Sequence, residues 1–241
     1  MPLPSFPDIG FSCNPFRALT REEWAAAAVI PESVHRALRP GGNVQILGPA
    51  GSGKSTVLLA LDDKFLREGR TCAYEYIPPG RRRFRTQIGN LEVFLLDEAQ
   101  RLSRGVLFLL RERARLARAA ASRVRLILGS HEDLSCDFRA ERVELASVRL
   151  GPPDTEQLAV LLERRLDLFA QRPDRAQFAL DSIQWLLENF GGDLRMMECF
   201  LYEFFQTRRP DGIILPGALH NELPAFTPPA VEPRSGSGIW D

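Results

Sequence analysis

One stretch restricts this chain more than any other. Gly48-Pro49-Ala50-Gly51-Ser52-Gly53-Lys54-Ser55-Thr56 follows the apolar run Val44–Leu47 and opens an amphipathic segment, Lys54–Arg67. The pattern GxxxxGK[ST], set between a buried strand and a helix, describes a loop whose backbone wraps phosphate. Its glycines let N–H groups turn inward at the positive end of the following helix. Pro49, Ala50, Gly51, Ser52, Gly53 and Thr56 would form the cradle with Lys54, which would neutralise the β- and γ-phosphates. The Ser55 hydroxyl would ligate Mg²⁺. Of 31 basic residues only Lys54 and Lys64 are lysine, so a lysine here marks a nest that needs a compact ammonium rather than a planar guanidinium.

A second run, Val93-Phe94-Leu95-Leu96, ends in Asp97-Glu98. A buried strand delivers both acids to the carboxyl edge of a sheet, beside the phosphate loop. Asp97 is expected to hold Mg²⁺ through water, and Glu98 to polarise an attacking water. Ser130, after the strand Val124–Leu128 and Gly129, could hydrogen-bond that water or the γ-phosphate, or be structural. Arg139 and Arg142, ahead of Val143–Leu145, could reach a neighbouring subunit's nucleotide or be plain surface residues. Arg195 falls in the first turn of a helix capped by Asp193, where a cation is locally unfavourable. The γ-phosphate is the anion proposed to compensate it.

Short apolar runs (Val44–Leu47, Thr71–Ile77, Glu92–Leu96, Val124–Leu128, Arg142–Leu150) alternate with helical segments (Lys54–Arg67, Val106–Ala120). This alternation predicts an α/β fold, a parallel P-loop sheet sandwiched by helices. Beyond Pro152-Pro153 the pattern is helical. Leu158, Leu161, Leu162, Leu166 and Phe169 form one stripe; Ile183, Leu186, Leu187 and Phe190 form a second, stopped at Gly191-Gly192. Leu194, Met197 and Leu201 form a third. Three such helices predict a small C-terminal lid. The expected organisation is an N-terminal extension with short helices at 1–40, the ATPase core at 41–151, the helical lid at 152–209, and a Pro/Gly-rich, largely disordered tail at 210–241.

Composition removes other classes. The 31 basic and 31 acidic residues balance, against a generally basic nucleic-acid-coating protein. The four cysteines (Cys13, Cys72, Cys136, Cys199) and three histidines (His35, His131, His220) are scattered, with neither zinc spacing nor a disulfide framework. No apolar run reaches the length of a membrane span, and the N-terminus lacks a charged start and apolar core of a signal peptide. A cytoplasmic chain without membrane insertion is expected.

GPAGSGKST, FLLDEAQRL, LILGSHEDL and ENFGGDLRMMECFL, in that order, resemble Walker A, Walker B, sensor 1 and sensor 2 of AAA+ ATPases. The DEAQ box, the Gly-Ser after the fourth strand and Gly-Gly-Asp-Leu-Arg look most like the TniB/TnsC/MuB and ExeA branch. The triplet Asn14-Pro15-Phe16 resembles the segment preceding the sheet in ExeA-type proteins. The similarity covers about residues 11–207. It implies an ATP- and Mg²⁺-dependent hydrolase that drives assembly or remodelling of a partner in transposition or secretion, with a protein partner and ATP-dependent self-association expected. One departure stands out: the family places a helix between the second and third strands, where this chain has 78–90, opening on Pro78-Pro79-Gly80.

Two other readings stay open. One is a nucleotide-dependent interaction switch with feeble hydrolysis; the other, a small-molecule P-loop kinase, leaves Glu98 and the lid unexplained. Arg81-Arg82-Arg83-Phe84-Arg85 could grip nucleic-acid phosphates with Phe84 stacked on a base, or be a solvated loop or docking hairpin. Arg104, Arg111, Arg113, Arg115 and Arg118 read as a solvated helix face paired with Glu112.

Overall fold

The computed structural model describes residues 3–38, 42–119, 124–140 and 142–228. They divide into two compact units, one formed by Ile30–Leu150 and the other by the chain before Ile30 together with the chain after Leu150.

The first unit carries a five-stranded, wholly parallel sheet. Its strands are β1 (Asn43–Leu47), β2 (Cys72–Tyr76), β3 (Val93–Asp97), β4 (Arg125–Ser130) and β5 (Leu145–Arg149), in the order β2-β3-β4-β1-β5. The strand period of two sorts β3 between two cores. Val93 and Leu95 join Val44, Ile46, Ile127 and the inner face of helix α3 (Lys54–Arg67). Phe94 and Leu96 face the other way, with Leu126 and Leu128, onto α4 (Arg104–Ala119) and α5 (Ser135–Ala140). Helix α2 (Glu32–Ala37) completes the α3 side through Val34. The sheet sandwiched by helices is therefore found as the alternating pattern predicts.

The β2–β3 connection contains no helix, in keeping with the departure seen in the sequence. It covers its part of the sheet with side chains: Ile77 and Ile88 are buried, and Phe84 and Leu91 pack against them. The Phe84 ring lies 5.4 Å from that of Phe94. Phe84 is thus turned into the protein and does not stand ready to stack on a base.

The second unit contains the three helices expected from the apolar stripes, α6 (Thr155–Asp167), α7 (Leu180–Phe190) and α8 (Leu194–Arg208). Two stretches depart from the expected boundaries. The N-terminal segment with α1 (Arg21–Ala27) belongs to this unit and puts Phe11, Phe16 and Leu19 into the same core as Leu158, Leu166 and Phe205. The Asn14 amide donates to the Tyr202 carbonyl (2.9 Å), and Ser12 N donates to Phe169 O (2.8 Å). Between Pro210 and Phe226 the chain is packed rather than a disordered tail, because Ile214, Leu219, Leu223 and Phe226 have apolar partners. Strand β7 (Ile213–Ile214) pairs with β6 (Gln177–Phe178), and α9 (Pro216–His220) buries Leu219. Ile214 is buried, and its carbonyl accepts the Ser182 hydroxyl at 2.7 Å. Residues 229–241 and the side chains of Arg113, Arg115 and Arg118 lie outside the described residues. Among those described, no helix is long and apolar enough to cross a membrane.

Candidate functional site

Strand β1 lies inside the sheet, between β4 and β5, so the loop that follows it emerges at the middle of the carboxyl edge. Gly53 caps α3 in the left-handed region (φ 87°), which lets the chain turn tightly from loop into helix. The amides of the first turn of α3 have no intrahelical acceptors, which leaves donors for an anion. A methyl group at position 48 would lie 2.5 Å from Ser52 Oγ, so glycine there lets the loop close over itself with Ser52 in place. Ser52 Oγ is buried with no hydrogen-bond partner among the described residues. A buried, unpartnered hydroxyl in this glycine-rich turn, beside the free amides of the α3 N-terminus, fits a phosphate group. Lys54 is buried, and its Nζ donates to the carbonyls of Gly48 (2.7 Å) and Pro49 (2.8 Å), which fixes the ammonium at the loop. Pro49 and Ala50 are exposed on the rim, with Gly51, Ser55 and Thr56 half-buried.

Asp97 ends β3 fully buried. Its Oδ1 accepts the Glu98 amide (3.0 Å) and its Oδ2 the Tyr74 hydroxyl (3.1 Å), and the Ser55 hydroxyl lies nearby. Burial pushes this carboxyl above its ordinary range. The Ser55 hydroxyl pulls the other way, neighbouring Glu98 adds to the rise, and Tyr74 and Lys54 lower it. The two residues expected to serve Mg²⁺, Ser55 and Asp97, thus lie near each other, a pair of hard oxygens suited to that cation. Among the described residues no cluster of three or more His, Cys, Asp or Glu forms a metal site of any other kind.

Glu98 follows in the left-handed region (φ 62°), uncommon for a residue with a side chain. Its carboxylate is 12% exposed and held on three sides. Gln100 Nε2 donates to Oε2 at 2.8 Å, the Arg101 guanidinium reaches Oε2 at 3.0 Å, and His131 Nε2 lies 3.2 Å from Oε1. Arg101 is itself fixed, donating to the Ile77 carbonyl (2.7 Å) and the Tyr76 hydroxyl (3.1 Å). Sequence reasoning missed these three holders. Gln100 and Arg101 sit in the quoted DEAQR stretch and were within reach of it; His131 carries no signal of its own beyond following Ser130.

Ser130 arrives at the end of β4, fully buried, and its hydroxyl donates to Glu132 O (2.7 Å) while accepting Glu132 N (3.0 Å). It closes its own turn, and His131 is the residue of that loop that reaches Glu98. Arg139, in α5, and Arg142, with φ 57°, are exposed without side-chain partners among the described residues. Arg195 is exposed in the first turn of α8, where Asp193 caps the helix by accepting Met196 N at 3.0 Å. It belongs to the helical unit, whereas Lys54, Ser55, Asp97, Glu98 and Ser130 are gathered in the sheet unit.

No protein-family model and no curated protein matches this sequence. Solved structures do match its fold. The RuvB Holliday junction branch migration motor of Thermotoga maritima aligns with a TM-score of 0.60 at 15% identity, over 88% of this chain and 73% of that one. Cdc6p of Pyrobaculum aerophilum aligns with a TM-score of 0.54 at 16% identity, over 78% and 66%. The Aeropyrum pernix ORC1 protein in complex with DNA gives 0.54 at 16%, over 86% and 69%. This chain therefore spans about two thirds of the length of these structures. The fold they share is the parallel P-loop NTPase sheet sandwiched by helices.

Proposed function

We propose that this chain binds ATP with Mg²⁺ at the Gly48–Thr56 loop and hydrolyses it to drive assembly or remodelling of a partner. The observation that carries the reading is the loop itself: a buried Lys54 ammonium held on the Gly48 and Pro49 carbonyls beside the unpartnered Ser52 hydroxyl, with Ser55 near enough to the buried Asp97 to lower its pKa. Bound Mg²⁺ would neutralise the developing charge between the β- and γ-phosphates. The loop amides and Lys54 would orient the phosphates, Ser55 and Asp97 would hold the metal, and Glu98 would accept a proton from water. Arg195 would sense the γ-phosphate, and Arg139 or Arg142 would complete a neighbouring copy's site in an ATP-dependent oligomer. The order of motifs supports a transposition-regulator or secretion-assembly role, with a protein partner.

One observation favours a second reading, a nucleotide-dependent interaction switch with weak hydrolysis. The Glu98 carboxylate is tied to Arg101, Gln100 and His131, so both of its oxygens already have partners before a water arrives. Glu98→Gln distinguishes the two. Under the first reading ATP affinity is kept while turnover falls roughly 10²-fold or more, the range for loss of a general base. Unchanged turnover would remove Glu98 from the chemistry, and wild-type turnover near zero would leave the switch.

A further inference from the structure

The β2–β3 connection displays positive charge that the fold does not use. Arg82, Arg83 and Arg85 are exposed, Arg81 is half-buried, and none of the four side chains has a hydrogen-bond or ion-pair partner among the described residues. The carboxylate that reaches this loop is occupied elsewhere. Glu75, on edge strand β2, accepts Arg85 N at 2.8 Å, Thr86 N at 2.9 Å and the Thr86 hydroxyl at 2.6 Å. Its charge is spent on main-chain donors and holds the loop in shape.

Three more anchors act with it. Phe84 packs on Phe94, Ile88 is buried, and Arg82 O accepts Ser103 N at 3.1 Å. Arg83 and Arg85 therefore flank an inward-facing residue. The Ser103 bond brings the start of α4 alongside, where Arg104 is likewise exposed and unpartnered among the described residues. One helical turn on, Phe108 is 43% exposed, with the Arg111 guanidinium 5.8 Å from its ring. In a chain of balanced charge, these residues form an uncompensated basic patch on a pre-shaped scaffold, bordered by an aromatic face.

We infer that this patch, Arg81–Arg83, Arg85 and Arg104 with Phe108, binds the phosphodiester backbone of nucleic acid. Guanidinium groups on a loop already held in shape suit repeated phosphates, because little backbone freedom remains to be lost on binding. The exposed ring beside them gives an unpaired base a stacking surface, a feature that an acidic protein surface would not need. The inference is independent of ATP hydrolysis and uses no residue of the phosphate loop.

The test titrates the full chain against fluorescein-labelled oligonucleotides of mixed sequence, 30-nucleotide single strand and 30-base-pair duplex (about 30 units each, enough to cover several phosphate contacts), over a range of salt. Arg82→Ser/Arg83→Ser/Arg85→Ser is the variant; its side chains hold nothing else, so the fold should be kept. A fluorescent ATP analogue, titrated in parallel, reports separately on the nucleotide site. The slope of log K against log salt should fall by about 2 to 3 in the variant, since each lost phosphate contact removes ~0.7–0.9, with analogue affinity unchanged. Phe108→Ala should weaken single strand more than duplex. Equal slopes for wild type and variant would overturn the inference, as would polyglutamate displacing the oligonucleotide at equal charge concentration. Loss of analogue binding in wild type would sink the ATP reading without touching this one.

Discussion

Two connections leave the same sheet and are built by opposite means. The β1–α3 loop is made of main chain: glycines, helix-end amides, and an ammonium resting on two carbonyls. The β2–β3 connection is made of side chains, with Phe84 and Ile88 pressed inward and Glu75 gripping two amides. A loop whose work is done by backbone needs particular residues at fixed spacing, so its function is written as a motif. A loop held by side-chain anchors can use many residue types, and it leaves no motif.

Substitutions sharpen the contrast. Lys54→Ala should have the largest effect, lowering ATP affinity roughly 10- to 10²-fold, since a charge-assisted phosphate contact carries ~1.5–3 kcal/mol. Thermal unfolding should move little; calorimetry that finds ATP affinity intact would end the phosphate-loop assignment. Phe84→Ala should do the reverse, costing about 2 kcal/mol of stability for a half-buried ring, with ATP affinity unchanged. Denaturant unfolding measures it, and a change below a few tenths would mean the loop is not anchored by Phe84. Gly48→Ala is intermediate. The added methyl group must displace Ser52 Oγ, so ATP should bind about tenfold more weakly, a ~1.4 kcal/mol effect, while stability changes less than in Phe84→Ala. Equal losses in both measurements would blur the line between the two loops.

The smallest expected effect lies in the helical unit. Glu23 caps α1 and pairs with Arg17. Burial raises its pKa, but the Arg17 hydrogen bonds and the Thr20 amide outweigh burial and hold it below the ordinary glutamate value. A carboxylate lowered on folding stabilises above its unfolded pKa, and that contribution is lost as pH falls through the folded value. Glu23→Gln should therefore flatten the acid limb of a melting-temperature profile and leave the neutral plateau slightly lower. A parallel acid limb in the variant would show that the pair contributes nothing.

The same division explains what could be read in advance. Gly48–Thr56, Asp97 and the parallel sheet were legible because each rests on a local pattern. The His131 contact to Glu98 was not, since His131 follows another strand and spatial pairing leaves no periodicity, whereas Gln100 and Arg101 lay within the DEAQR stretch and were passed over. The stretch after Pro210 misled for a related reason. Proline and glycine mark irregular backbone, but irregular backbone can still be packed, as Ile214 and Leu219 are.

The membership of the N-terminal segment bears on how the chain is made. Phe11, Phe16 and Leu19 leave the ribosome early, yet their core partners Leu158, Leu166 and Phe205 follow only after the whole of Ile30–Leu150. At roughly 5–20 residues per second, some 120 intervening residues amount to a delay on the order of ten seconds. Throughout that interval the sheet unit can collect its own strands while the phenylalanines ahead of it stay wet and adhesive. Synthesis order therefore runs against folding order for the helical unit, whose early apolar residues must stay solvated until their late partners arrive.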